Sequence, residues 1–325
     1  MNRHELRRVV RTAVVGAVTR APSAPLLAAR RRYDHTLTTT DPAASPPALL
    51  RLARFRPVPP AVRTFTPPGR PDVRFVNAAS GVTQWTYWLG MDDVARLGAG
   101  PRVWEALCAR AAEVVEIGAN IGFYTVPGAK VAGGVYRAYE PHPESASLLR
   151  ANLAENGLDN VDVHEAAVVA GSEDFVDLTI PPAFDGATPG NATLVPEFSG
   201  GSVVRVAAEP MAAALGGCDL LKLDVEGLEA ALFEAAWNDL VRLRPAIMVE
   251  VHDVNEQLRA LLPGLVEASG GRAYAMRRAS LASVRTEELG RGPLFERYGT
   301  WDYLLVPSGR EHMVDALDID TGAAQ

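Results

Sequence analysis

Lysine is almost missing from this chain. Of the 32 basic residues among 325, only Lys130 and Lys222 are lysines, and the other 30 are arginines. The skew reads as coding composition, so a lysine that survives it draws attention as a functional residue. Cysteine is as scarce. Cys108 and Cys218 stand 110 positions apart, with no second thiol or histidine at metal-ligand spacing. That excludes a disulfide framework and a zinc knuckle, and it points to a reducing cytoplasm. No run of about 18 apolar residues occurs, which excludes a membrane-spanning helix. With 48% apolar and 22% charged residues the composition is that of a globular chain, not of collagen or a disordered polymer.

The net charge of −7 conceals an asymmetry. Residues 1–70 hold thirteen arginines against Glu5, Asp34 and Asp41, which leaves 19 basic and 36 acidic groups for the rest. An acidic body argues against nucleic acid as a partner, because phosphate binding needs a cationic footprint on the folded domain. In the basic part, Leu6, Val9, Val10, Ala13, Val14, Ala17 and Val18 share a helical face that Pro22 ends. This short amphipathic helix either packs on the acidic body or docks on a membrane surface or a partner. Arg11 and Arg20 spoil a secretory signal. Nine prolines between 41 and 71 read as an irregular linker or a segment draped over the surface. Residues 1–72 are therefore an N-terminal arm. Residues 73–88 read as two short strands around a turn at Ser80-Gly81. Trp85, Tyr87 and Trp88 are then either core or a pocket wall in a subdomain reaching to 109.

From 113 onward, apolar strand-like runs at 113–118, 135–140, 161–165, 219–224 and 246–251 alternate with helical stretches at 142–156, 227–237 and 254–268. The pattern predicts a doubly wound, mostly parallel α/β sheet. Further strands are expected at 173–180, 202–207 and 272–277. A last one at 302–306 should add an edge and close the domain before a tail from 308.

Three stretches carry chemistry. In Val114-Val-Glu-Ile-Gly-Ala-Asn-Ile-Gly-Phe-Tyr-Thr125 a strand runs through a glycine turn, Gly118 to Gly122, into a helix, so backbone amides there can meet a polar ligand. A dinucleotide fingerprint beginning at Gly118 needs glycine at 120 and 123, where this chain has Asn120 and Phe123. Glu116 suits an ammonium group better than a pyrophosphate. In Ala138-Tyr-Glu-Pro-His-Pro143, Glu140 ends the second strand 22 residues after Gly118, where a carboxylate accepts both hydroxyls of a ribose. In Cys218-Asp-Leu-Leu-Lys-Leu-Asp-Val-Glu-Gly-Leu-Glu229, Lys222 and Asp224 share a strand face and Glu226 lies in the turn beyond. These charges gather at a ligand-binding strand end or form an internal ion pair.

With Asn152 and Asn156, Gly190-Asn-Ala-Thr-Leu194 and Arg244-Pro-Ala-Ile-Met-Val-Glu-Val-His252, these motifs resemble the FkbM-type S-adenosylmethionine-dependent methyltransferases over about residues 110–307. The resemblance implies a class I, Rossmann-like seven-stranded methyltransferase sheet with an N-terminal extension. It also implies methyl transfer to a hydroxyl of a sugar, glycan or secondary metabolite. The candidate cofactor contacts are Glu116, Gly118, Ala119, Asn120, Gly122 and Tyr124 near the methionine half, with Glu140 and Pro141 at the ribose and Asp224 beside them. For the proton that must leave the acceptor, the candidates are His252, Lys222, Asp224 and Glu226. His142 reads as structural, near the adenosine edge. A magnesium-like ion could be held by Asp224, Glu226, Glu250, His252 and Asp253, although no spacing demands it. Pro127-Gly128 departs from the family pattern and is expected to bend or shorten the first helix. The loop from 181 to 201 is expected to overhang the site with the segment 73–100. The competing reading is a non-catalytic scaffold on the same fold.

Overall fold

The computed structural model describes residues 58–78, 80–91, 100–181, 201–277 and 279–320. The basic helix, most of the proline-rich stretch and the loop at 182–200 lie outside the described residues.

The elements follow in order: β1 (Thr64–Phe65), β2 (Phe75–Val76), α1 (Gly81–Leu89), α2 (Pro101–Cys108), β3 (Glu113–Ile117), α3 (Thr125–Val131), β4 (Val135–Tyr139), α4 (Pro143–Glu155) and β5 (Val161–His164). Next come β6 (Ala166–Val169), β7 (Phe175–Ile180), β8 (Ser202–Pro210), α5 (Met211–Leu215), β9 (Leu220–Leu223), α6 (Glu229–Ala235), α7 (Trp237–Leu243), β10 (Ala246–Glu250) and α8 (Glu256–Ala268). The chain continues through β11 (Arg272–Met276), β12 (Ser280–Val284), α9 (Thr286–Leu289), α10 (Leu294–Tyr298), β13 (Asp302–Val306) and β14 (Asp318–Asp320).

The main sheet runs β14-β12-β11-β13-β10-β9-β3-β4-β5. From β5 to β10 every pairing is parallel. β13 is antiparallel to both its neighbours, β10 and β11. The doubly wound sheet is as expected, with β12 and β14 added to the seven strands. The segments at 175–180 and 202–210 do not join it; with β6 they form a separate three-stranded sheet ordered β6-β8-β7. Two-residue alternation splits the core into two layers. Val114, Leu220, Met248 and Leu304 face Trp104 and Leu149 on one side. Val115, Leu221, Val249 and Leu305 face Phe233 and Leu258 on the other. Among the described residues no helix is long and apolar enough to cross a membrane.

Two expectations need correction, and a third, at Pro127, has a local explanation. The stretch after residue 80 is a helix, because Ser80 accepts the Thr83 amide at 3.3 Å as an N-cap and the alternating aromatics then bury one helical face. β13 is not an edge strand: all five of its residues are buried, which requires neighbours on both sides and cover on both faces. Pro127, expected to bend or shorten the first helix, stands inside an α3 of only seven residues. It is the third residue of α3, in the first turn, where an N–H has no partner within the helix anyway.

The described part of the proline-rich stretch is tied into the core. Phe65 meets Tyr87 edge-on at 5.2 Å, and the buried Arg70 donates to Asp72 and Glu105. Asn156 clamps the backbone of Arg74 from both sides, accepting its N–H at 2.9 Å and donating to its carbonyl at 2.7 Å. Asn152 accepts the Val76 amide at 2.7 Å and donates to the Ile121 carbonyl at 2.7 Å, so one buried side chain joins β2 to the glycine turn.

Gly128 lets α3 press against α2. A Cβ there would lie 2.7 Å from Trp104 Nε1 and 2.9 Å from Cys108 Sγ. Gly128→Ala is expected to lower the unfolding free energy by about 1–3 kcal/mol through overpacking, measured by urea denaturation; an unchanged midpoint would mean that the two helices can part without cost.

Candidate functional site

The order β4-β3-β9 reverses the direction of winding between β3 and β9, and open α/β sheets bind ligands at that switch point. Here the chain is drawn very tight. A Cβ on Gly118 would sit 1.8 Å from the carbonyl oxygen of Asp224, and Gly118 has φ +86°. Residue 118 is therefore confined to glycine. Asn120 takes the left-handed conformation at φ 51°, which asparagine tolerates.

Every amide of the turn is already engaged. Gly118 and Ala119 both donate to the Tyr139 carbonyl at 3.0 Å. Asn120 donates to Glu140 Oε2 at 2.7 Å and Ile121 to Asn120 Oδ1 at 2.8 Å. Gly122 donates to the Ala119 carbonyl at 2.9 Å. The sequence suggested amides offered to a ligand; the structure instead spends them on the end of β4, so the turn has little to give a phosphate.

Above the turn lies an open cleft. Gly118, Asn120, Glu140, Pro141, Asp224 and Glu226 line it, as do His142, Ser145 and an apolar wall from the second sheet, Ala166, Ala167, Val168 and Leu178. Glu140 is buried at the base of this cleft. Its two oxygens accept the amides of Asn120 at 2.7 Å and His142 at 2.8 Å, and each keeps a second lone pair. Burial pushes its pKa up to about 7, against the pull of those two amides. His142 caps α4 by accepting the Ser145 amide at 3.2 Å, and burial lowers its proton affinity, so the imidazole is neutral.

The other side of the cleft is built from the ends of β9 and β10. Lys222 Nζ lies 3.0 Å from Asp224 Oδ2. Glu226 adopts φ 53°, a strained conformation for a residue with a side chain. Although the residue as a whole is exposed, protein crowds its carboxyl group. Desolvation first, then repulsion from Asp224, Glu250 and Glu229, raises its pKa to about 8, with solvent access moderating the effect. Glu229, at the start of α6, shapes this turn. It accepts the amides of Val225 at 3.1 Å and Gly227 at 3.3 Å, and its other oxygen accepts from Asn255 at 3.3 Å.

His252 Nε2 pairs with Glu250 Oε2 at 3.1 Å, and its ring leans on Trp301 at 4.9 Å. The hydrogen bond to Glu250, opposed by burial and reinforced by the surrounding carboxylates, raises its pKa to about 9. The shift favours the imidazolium at neutral pH, a form with no lone pair for an acceptor's proton.

Among the residues singled out from sequence, Gly118, Asn120, Glu140, Pro141, Asp224 and Glu226 thus meet around one cavity. Glu116, Ala119, Gly122, Tyr124, Lys222 and His252 do not line it. Ala119 is buried in the turn. On Gly122 a Cβ would lie 2.7 Å from Leu149 Cδ1. Tyr124 covers Lys222, and Glu116 lies beneath them, 1% exposed. The roles of Glu229 and of the wall 166–168 were not read from the sequence; a carboxylate two residues after the Gly227 turn was the available signal for Glu229. Among the described residues no three His, Cys, Asp or Glu side chains gather as metal ligands.

Residues 116–275 match the protein family described as Methyltransferase FkbM domain. The crystal structure of methyltransferase FkbM from Methylobacillus flagellatus KT is similar at 14% identity and TM-score 0.39, over 69% of this chain and 52% of that one. This chain therefore spans about half the length of that protein. An O-methyltransferase from Bacillus cereus in complex with SAH is similar at 15% identity and TM-score 0.34, over 63% of this chain and 78% of that one. A precorrin-6y C5,15-methyltransferase from Geobacter metallireducens GS-15 is similar at 15% and 0.31, over 54% and 73%. No curated protein matches the chain.

The raised proton affinity of Glu226 has a consequence for stability. The folded chain holds this proton up to about pH 8, whereas an ordinary glutamate loses it near 4.5. The native state binds more protons across that window, so wild-type stability falls as pH rises through it. Glu226→Gln should gain stability relative to wild type between pH 4.5 and 8 in urea unfolding; a constant difference would mean that the carboxyl titrates as if in bulk water.

Proposed function

This chain carries an FkbM methyltransferase domain, and we propose that it binds S-adenosylmethionine in the cleft above the Gly118 turn and methylates a hydroxyl oxygen of a sugar, glycan or secondary metabolite in the cytoplasm. The observation that carries the cofactor assignment is the spent turn. With the amides from Gly118 to Gly122 engaged inside the protein, a pyrophosphate finds no free amide in the turn, while a ligand bearing a ribose, an ammonium and a sulfonium needs carboxylates. Glu140 and Asp224 supply the carboxylates.

When bound, S-adenosylmethionine supplies a methyl group already activated on sulfur. The chain's work is then to place an acceptor oxygen in line and to remove its proton. Glu140 receives the ribose hydroxyls on its unused lone pairs. The apolar wall of Ala166, Ala167, Val168 and Leu178 covers a flat heterocycle and excludes water. Asp224 orients the acceptor hydroxyl from the other side of the cleft. Glu226, with a pKa of about 8, is near the proton affinity that best suits a general base at neutral pH.

Glu140→Ala is expected to weaken S-adenosylmethionine binding by about 1.5–3 kcal/mol, roughly 10- to 150-fold, by loss of charge-assisted hydrogen bonds. Calorimetric titration of the variant against wild type measures this. Equal affinities would remove Glu140 from the ribose site, and no binding to wild type would favour a scaffold that retains the fold.

A further inference from the structure

Lys222 pairs with Asp224, which lines the cofactor cleft, and shares a face of the sheet with a second buried acid, Glu116. Glu116 and Lys222 are register partners on the adjacent strands β3 and β9, so their side chains leave the sheet on one face. Asp224 follows two residues later on that same face. Lys222 is 2% exposed; its Nζ is 3.0 Å from Asp224 Oδ2 and 4.9 Å from the centre of the Tyr124 ring, which covers it. An ammonium so deeply placed is costly unless negative charge balances it.

Glu116 supplies that balance from below. Its Oε2 accepts from Thr125 Oγ1 at 2.8 Å and from the Tyr136 hydroxyl at 2.6 Å. Tyr136 is in turn fixed by a hydrogen bond from Trp104 Nε1 at 3.1 Å. Oε1 is buried with no hydrogen-bond partner. Two hydroxyls converge on one oxygen, where each can donate to a carboxylate.

Burial works against both charges. It raises the proton affinity of Glu116, opposed by Lys222 and the two hydroxyls. It would also strip the proton from Lys222, but Asp224 on its own strand, Glu116 from β3 and Asp302 from β13 outweigh it, and the lysine stands above its ordinary value.

We propose that Glu116 is a positioning residue and not a cofactor contact: its buried carboxylate holds Lys222 as an ammonium, and Lys222 anchors Asp224 Oδ2 so that Asp224 keeps its place in the cleft wall. Lys222 is then a strut and not a base for the acceptor. The charge pairing stands without any ligand; its consequence for methyl transfer rests on the function proposed above.

The scarcity of lysine makes the test direct. Lys222 and the exposed Lys130 are the two lysines of the chain, so protein labelled with carbon-13 at lysine Cε gives two side-chain NMR signals, one of them an internal reference. In wild type, Lys222 should keep its charge to a higher pH than Lys130. Glu116→Gln retains an oxygen for the two hydroxyls but no charge, and should move the Lys222 midpoint down by roughly one pH unit or more while Lys130 stays in place. Tyr136→Phe removes one donor to the carboxylate and should shift Lys222 the same way by less, which provides the test where Glu116→Gln does not fold. A Lys222 midpoint that neither substitution moves, or one below that of Lys130 in wild type, would overturn the proposal. The same samples titrated with S-adenosylmethionine separate the two questions: a shifted lysine without cofactor binding would sustain the pairing and sink the cofactor assignment.

Discussion

The carbonyl oxygen of Asp224 occupies the space where residue 118 would carry a Cβ. That contact draws the end of β3 against the end of β9 at the point where the sheet changes its winding direction, and much of the site follows from it. A turn this tight must take left-handed conformations at Gly118, Asn120 and Gly122, and it folds its amides inward onto Tyr139 and Glu140. The floor of the cleft is therefore poor in donors. A similar strand-turn-helix with its amides left open would attract a phosphate; this one suits a ligand with positive charge and hydroxyl groups.

The charges around the cleft are consistent with that floor. Glu140, Asp224, Glu226, Glu229 and Glu250 cluster near strand ends, with the ammonium of Lys222 beneath and the imidazolium of His252 at the rim. Burial first, and then repulsion from neighbouring carboxylates, raises the proton affinity of Glu140 to about 7 and of Glu226 to about 8. The strain at Glu226 is held by the buried Glu229, which ties both sides of the turn to Asn255 at the cap of α8. Substitution at Glu229 would act through that turn, since Glu229 does not line the cleft.

Much of the sheet was legible because its strands alternate between two buried layers, so Val114-Val115 and Leu220-Leu221 each send one side chain to either face. Where the sequence misled, a local signal lost to a tertiary one. Val82, Thr83, Trp85, Thr86 and Tyr87 favour strands by propensity, yet Ser80 caps a helix there and the packing of Tyr87 and Trp88 decides the outcome. β13 read as an edge because it comes last in the doubly wound pattern, while its position between β10 and β11 depends on long-range pairing that no short window contains. The glycines of the turn and Glu140 could be found from spacing. That the amides of the turn are spent, that Glu116 lies under Lys222 and that His252 is charged all depend on neighbours distant in sequence, and so appear in three dimensions alone.

The most direct measurement of the account is calorimetric titration of the purified protein with S-adenosylmethionine and, separately, with NAD. A turn whose donors are spent and whose rim is acidic should bind the sulfonium compound in the micromolar range and leave the dinucleotide free. Binding of NAD with comparable affinity, or of NAD alone, would contradict the reading of the site from its first residue onward.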